Sequence, residues 1–534
     1  RSQHHILMTL NFTEMKAKHI ITSFAAAAML LSSCNGLLDI PQKGVLNYET
    51  YYQTDEDAEN AVIACYLQMR GLEFNYLMGK NMLTDDFWAG GGGRNDNGDL
   101  EQLNEFTFGT DQSFLQGMFQ SYYQIIYKAN VVLGHVNGDS QIMQRARAEA
   151  KVFRAWSYFE LITMWGNPPL VDHELEPSEY AQPNGSTEAL WNLVETDLTE
   201  AIASGMLTEK KNADDKTWRV TKQFAQAILG KAYLWQNKYE EAADIFDEII
   251  GSKLYRLYDD YENIISFNAK QNCESIFESV RVDNPNNGYE NYYTIFAVMV
   301  HYRTDKMSLN KADGLAETGW GFLNPTKSLY DDFVASEGAD GYRLNASLKT
   351  YDQMKERGHS INIGGTIINE GYFMWKWRVL QEQYGQYAGG MGFFCNTNNP
   401  RWMRYGEVLL CASEASFMAG RQDNADKYFN EIRRRAKASE KSGVTLDDIK
   451  REKRVELCGE STRFQDLLRW GDAEAKMKDN GKHCPILDSN GHVTYNKYNG
   501  DDASKYGFKP KHNRLPYPGV EIRLNKNITQ NPGW

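Results

Sequence analysis

The residues best suited to chemistry in this 534-residue chain are aromatic rings set in polar loops. Trp88 stands in the run Asp85-Asp86-Phe87-Trp88-Ala89, which continues into four glycines at 90–93 and then Arg94, Asn95 and Asp96. An indole presents a flat apolar face, and Asp85, Arg94, Asn95 and Asp96 could bond hydroxyls beside it. The glycines would let the backbone come close to a ligand. Tyr289 and Tyr292 follow a polar turn at 283–288, and Trp320 lies between Gly319 and Gly321. Trp375 and Trp377 occupy an alternating run, which predicts one ring facing the core and one facing the surface. Such residues point to non-covalent capture of a neutral, hydroxyl-bearing ligand. Each also has a plainer structural reading, a ring buried to anchor its own loop.

Covalent chemistry finds no comparable support. Neither G-x-S-x-G nor H-E-x-x-H occurs, and the carboxylate pairs Asp331-Asp332 and Glu240-Glu241 are chain neighbours on helices, whose side chains point apart. The glycines at 90–93 are not followed by Gly-Lys-Ser/Thr, so a phosphate cradle is excluded. Read as a calcium loop, residues 283–294 put Pro285 in the third position and Thr294 in the twelfth, where ligands are needed. Cys65, Cys273, Cys395, Cys411, Cys458 and Cys484 contain no C-x-x-C pair, and their disulfide pairing cannot be deduced from spacing. The sequence calls for no enzyme activity, cofactor or metal. A net charge of −13 repels phosphate backbones, which argues against a nucleic-acid partner. The 31 tyrosines and 12 tryptophans exceed what a core requires, and amphipathic rings suit a wet gripping surface.

The elements that would position these residues begin after a leader. Residues 1–14 read as upstream sequence, and from Met15 a basic stretch precedes an apolar run at 20–31, too short to span a bilayer and of secretory length. Leu31-Ser32-Ser33-Cys34 has the form of a bacterial lipobox, so residues 15–33 would be removed and Cys34 acylated. No later run approaches 18 apolar residues, which leaves lipid as the membrane anchor.

Helical hairpins follow. In residues 223–251, Leu229, Gly230, Tyr233, Ala242 and Phe246 take the positions a tetratricopeptide pair reserves for small and aromatic packing residues, with Asn237-Lys238 as the turn. Ala425 and Phe429 repeat Ala242 and Phe246 in a second hairpin at 404–438, and similar periodicity runs through 114–136 and 141–165. A lone hairpin cannot bury its face, so the expected fold is mainly α, a superhelix of tetratricopeptide-like hairpins near 114–166, 221–251 and 404–438. Loop-rich parts near 75–110 and 268–400, with a few short strands, would carry the ligand site within one body spanning 34–534. The tail from 478 is turn-rich, because five prolines forbid long helices.

Six blocks in order resemble the SusD/RagB family of outer-membrane nutrient-binding lipoproteins of the Bacteroidetes. They are LLDIP at 37–41; EAKVFRAWSYFELITMWGNPPLV at 149–171; GWGFLNPTKSLYDDF at 319–333 with Asp340-Gly341-Tyr342-Arg343; RYGEVLLCASEA at 404–415; REKRVELCGESTRFQDLLRWG at 451–471; and LPYPGVEIRLNKNITQNPGW at 515–534. The resemblance implies a lipoprotein anchored through Cys34 at the cell surface, whose hairpins dock on a SusC-like TonB-dependent barrel. It also implies capture of oligosaccharide or polysaccharide on the opposite surface and delivery to the barrel without chemistry. A RagB-like peptide binder is the alternative, and a glycoside hydrolase is the reading from another class. Trp88 matches roughly where the family's founding member carries ligand-stacking tryptophans, and the block containing Trp320 borders the family's binding face.

Replacing Cys34→Ala should leave the protein unanchored, since an acyl chain contributes about 0.8 kcal/mol per buried methylene and no other segment inserts. Membrane fractionation in cells lacking a barrel partner tests this; a variant that still pellets with membrane would refute it.

Overall fold

A computed structural model describes residues 51–282, 295–384, 396–497 and 502–534. Cys34, Cys395, Tyr289 and Tyr292 lie outside these residues. Among the described residues ten helices of eleven residues or more carry the fold: α1 Asp55–Met82, α2 Ser113–His135, α3 Gln141–Trp165, α4 Thr187–Ala203, α5 Lys222–Trp235, α6 Tyr239–Gly251, α7 Lys327–Glu337, α8 Tyr405–Met418, α9 Gln422–Arg435 and α10 Leu446–Glu456. Their starts follow local chemistry. Thr54 and Asp57 form a capping box on α1, Ser140, Ser186, Thr221 and Thr326 cap α3, α4, α5 and α7, and Thr445 with Asp448 caps α10. The expected hairpins are present as α2/α3, α5/α6 and α8/α9. Helices α1 and α4 extend the row, so that each of α1 to α5 packs on the next and α6 packs on α8. The apolar stripe of α1 is blurred because its last turns are buried on every side, Glu73, Lys80 and Asn81 included.

The packing pattern within a hairpin is physical. A Cβ on Gly230 would sit 2.6 Å from the Phe246 ring, so glycine lets α5 and α6 approach, and Asn237 turns the chain between them at φ +58°. In the second hairpin Ala425 and Phe429 pack with Val444 and Ile449.

Short antiparallel pairs decorate this layer: β1 Phe87–Gly90 with β4 Phe322–Pro325, β2 Ser275–Glu278 with β9 Arg401–Arg404, β3 Met307–Ser308 with β6 Ser360–Ile361, and β5 Leu348–Thr350 with β8 Tyr372–Met374. A three-stranded sheet orders β11 Val493–Lys497, β10 His483–Asp488 and β7 Thr366–Ile367. The tail thus contains a hairpin where the prolines suggested turns alone: Pro485 pairs with Tyr495, while contact with β7 begins only at Leu487. Trp375 is buried with Tyr302, Phe373 and Leu487, and Trp377 is half-buried.

Charge rather than apolar surface joins helices to strands at the centre. Glu452 and Glu456 share one side of α10, four residues apart. Arg343 reaches both at 2.8 Å, and Arg404 contacts Glu456 at 2.7 Å, Glu274 at 2.6 Å and Glu460 at 2.7 Å. Arg435 pairs with Glu274 at 3.1 Å and also with Glu456. Of the run Arg433-Arg434-Arg435, Arg433 and Arg435 therefore serve internal pairs, Arg433 with Glu452 at 2.9 Å, while exposed Arg434 meets Glu440. Burial alone would raise the Glu456 pKa, but Arg435, Arg404 and Arg343 outweigh it and hold the carboxyl well below the usual range.

Breaking one partner of such a buried cluster costs about 3–5 kcal/mol. Glu456→Gln should be destabilised by that order above pH 5. A depressed carboxylate stabilises the fold above its unfolded value, near 4.5, and loses that contribution as pH falls toward the folded value. The gap between variant and parent should therefore narrow progressively below about pH 4.5 in denaturant titrations. A gap that is absent at pH 7, or that widens in acid, would contradict the assignment.

Candidate functional site

The Trp88 loop is rooted in the scaffold through its first two residues. Asp85 and Asp86 both pair with Arg454 of α10, at 3.0 and 2.8 Å, and Arg463 adds 2.9 Å to Asp85. The backbone of Asp86 accepts a 2.9 Å bond from the Thr326 N–H, and that of Asp85 one from the Thr326 hydroxyl. Asp85 is 7% exposed. Its burial opposes ionisation, yet Arg454 and then Arg463 hold it well below the ordinary carboxylate range. The expectation that Asp85 offers its carboxylate to ligand hydroxyls is therefore corrected: both oxygens are committed to guanidinium groups beneath the surface.

From this root β1 runs against β4, pairing Trp88 with Asn324 and Gly90 with Phe322. Gly90 takes φ +79°, and a Cβ there would lie 2.3 Å from the Gly321 carbonyl. At Gly92 a Cβ would meet the Arg303 guanidinium at 2.5 Å. These two glycines allow approach of the protein's own chain rather than of a ligand; around Gly93 the space is open.

Arg303 clasps two segments together. One nitrogen donates to the Asp96 carboxylate at 3.1 Å and to the Trp320 carbonyl at 3.0 Å, while Asp96 accepts the Gly92 N–H at 2.6 Å. Lys306 holds the Gly92 carbonyl at 2.7 Å. Trp320 is half-buried, and its N–H donates to the Val298 carbonyl at 2.8 Å. Arg94 pairs with Glu101 and Glu105, and exposed Asn95, at φ +66°, donates its N–H to Glu101 at 2.7 Å. The structure thus gathers Trp88, Trp320, Arg94, Asn95 and Asp96 on two clasped loops. Tyr289 and Tyr292 cannot be placed relative to them, since they lie outside the described residues.

A group that sequence reasoning missed surrounds Trp88. The half-buried Trp88 donates its indole N–H to Glu370 at 2.9 Å, and the same carboxylate accepts the Lys327 N–H at the start of α7 and the Tyr495 hydroxyl. A carboxylate suits that helix terminus, where N–H groups lack partners. Tyr372, two residues on, stacks on Tyr330 with centroids 4.6 Å apart and an interplanar angle of 28°. Tyr495 is 47% exposed. Burial first, and then the hydrogen bond to Glu370, push its pKa above the usual tyrosine range, so the ring stays a neutral donor. The result is a surface of indole and phenol rings around one oriented carboxylate. These residues come from four separate elements, and no local motif announces any of them.

Two family models match. One described as SusD family covers residues 342–534, and one described as starch-binding associating with outer membrane covers residues 79–234. A SusD-like protein P2 of Formosa agariphila is 24% identical across 97% of this chain and 100% of its own length. A solved laminarin binding SusD-like protein superposes with a TM-score of 0.74 at 26% identity, covering 90% of this chain and 99% of that one. Surface glycan-binding protein A of Bacteroides thetaiotaomicron, solved in complex with laminarihexaose, gives a TM-score of 0.72 at 22% identity over 89% of this chain and 99% of its own. In the two matched stretches, and over most of its length, the chain is similar to SusD-family proteins. Among the described residues no helix is long and apolar enough to cross a membrane.

Removing the clasp should loosen the loop without unfolding the protein. Arg303→Ala is expected to cost no more than about 1 kcal/mol, as partly exposed pairs do. Amide exchange across residues 91–96 should accelerate severalfold in hydrogen-exchange mass spectrometry, and unchanged exchange there would remove Arg303 from this role.

Proposed function

We propose that the protein is a cell-surface lipoprotein that captures neutral glycan chains and passes them, without cleaving them, to a SusC-like TonB-dependent barrel in the outer membrane. The observation that carries this reading is the ring surface around Glu370, with Trp88 at its edge and the Trp320 loop clasped beside it. Sugar rings present C–H faces that lose water against an indole or phenol, while their hydroxyls need a few oriented polar groups. The polar set here comprises Glu370, Asn95 and Asp96, with Arg303 fixing the last. Similarity to SusD-family proteins and the glycan ligands named for two structural relatives support the same class. Anchoring through Cys34 and the barrel partner follow from the lipobox and the family.

Affinity electrophoresis and calorimetry against a polysaccharide panel, begun with laminarihexaose, test the proposal. Binding of peptides with no glycan retained would replace it, and release of reducing ends by the purified protein would make it a hydrolase. A stacking residue in a wet site contributes about 1–3 kcal/mol by analogy with interface anchors, or roughly tenfold to a hundredfold in affinity. Trp88→Ala and Trp320→Ala should each weaken glycan binding by that factor while moving the melting temperature little. Normal binding by either variant would take that residue out of the site.

A further inference from the structure

We propose that the cleft between residues 94–108 and residues 505–511 binds an oxyanion, a carboxylate or sulfate group carried on a sugar. The cleft has a volume of about 500 Å³. One wall carries Arg94 and Asn95, the other Lys505, Lys509 and Lys511.

The charges at this cleft are arranged asymmetrically. Arg94 is 30% exposed, while the two carboxylates it pairs with, Glu101 and Glu105, also line the cleft but are only 8% and 4% exposed. The lysines opposite are held by neutral groups. Lys509 donates to the Lys505 carbonyl at 2.9 Å, and the Lys511 ammonium sits 3.9 Å from the Trp534 ring centroid. Trp534 is itself stacked on Phe108 with centroids 5.4 Å apart, so the ring under Lys511 is fixed. None of the three lysines forms an ion pair with a carboxylate among the described residues. The acidic group closest to them in charge effect, Asp502, is turned to Ser504, accepting its hydroxyl at 2.6 Å and its N–H at 2.9 Å. Burial, and then the neighbouring Lys509, lower the Lys511 pKa, as expected of two ammonium groups without an intervening anion. In a chain of net charge −13, a recess lined by four cations against two largely buried carboxylates keeps a local positive excess that selects an anion.

Planar or tetrahedral oxyanions accept several N–H bonds at once, and a guanidinium and ammonium groups lining one cleft are the donors that suit them. The loop that gives Arg94 and Asn95 to this cleft gives Asp96 to the Arg303 clasp, so an acidic substituent and a neutral sugar face would be read from two sides of one loop. The sugar-borne form of the ligand rests on the proposed glycan function; recognition of the anion does not.

Calorimetry on the full chain at low ionic strength distinguishes these. The probes are glucose 6-sulfate, tri-galacturonate, sodium sulfate and laminarihexaose. Glucose 6-sulfate or tri-galacturonate should bind, with affinity falling as salt is added. The Lys509→Gln/Lys511→Gln double variant should lose about tenfold or more, the equivalent of one charge-assisted hydrogen bond, while its melting temperature and laminarihexaose binding stay at parental values. If that variant folds poorly, exposed Lys505→Gln should still lower acidic-probe affinity about threefold. Sodium sulfate binding as tightly as glucose 6-sulfate would make the ligand a free inorganic anion in the same cleft. Failure of laminarihexaose alone would remove the neutral platform and leave this site standing. No heat from any acidic probe, or unchanged binding in the lysine variants, would overturn the proposal.

Discussion

The fold depends on satisfying the charges of one short helix. Helix α10 places Glu452 and Glu456 inward among Arg343, Arg404, Arg433 and Arg435, directs Lys453 to Asp466 at 2.9 Å, and sends Arg454 to Asp85, Asp86 and Asp332. Buried charges are expensive unless each is paired and hydrogen-bonded, and here they are shared among several partners. The consequence is specificity of arrangement. Helix α9, strands β2 and β9, the Tyr342–Ser347 helix and the Trp88 loop can each dock in only one register without orphaning a charge.

That constraint reaches the candidate site. Because Asp85 and Asp86 are fixed by Arg454, the strand that follows emerges at a set position, meets β4, and presents Trp88 beside Glu370. Arg303 and Lys306 then tie the glycine-rich loop down onto the Trp320 segment. Binding surfaces assembled from loops lose affinity when the loops must be ordered on contact. Here the ordering is made in advance by ion pairs and backbone bonds, which leaves ring faces and a few oriented polar atoms at the surface of the candidate site.

An overall negative charge and a neutral ring platform fit together, since sugar stacking needs no Coulomb attraction. The lysine-lined cleft departs from that average. Local charge, rather than the total, decides what a recess accepts when its carboxylates are largely buried and paired with a guanidinium.

By itself the sequence determined the paired hairpins of the helical layer and marked the rings proposed to stack on a ligand. Gly230 with Phe246, and Ala425 with Phe429, encode helix contact at fixed local spacing. Trp88 and Trp320 stood out because glycines flank them. Only the tertiary structure decided which polar residues face solvent. Asp85 and Asp96 look alike in the sequence, yet one bonds Arg463, 378 residues away, and the other sits at the surface beside Arg303. Glu370 joins Trp88 to Tyr495 across 282 and 125 residues of chain. Short strand pairs with two or three paired positions carry no periodic signal, so such long-range meetings are set by the packing of the whole body and cannot be read from any local window.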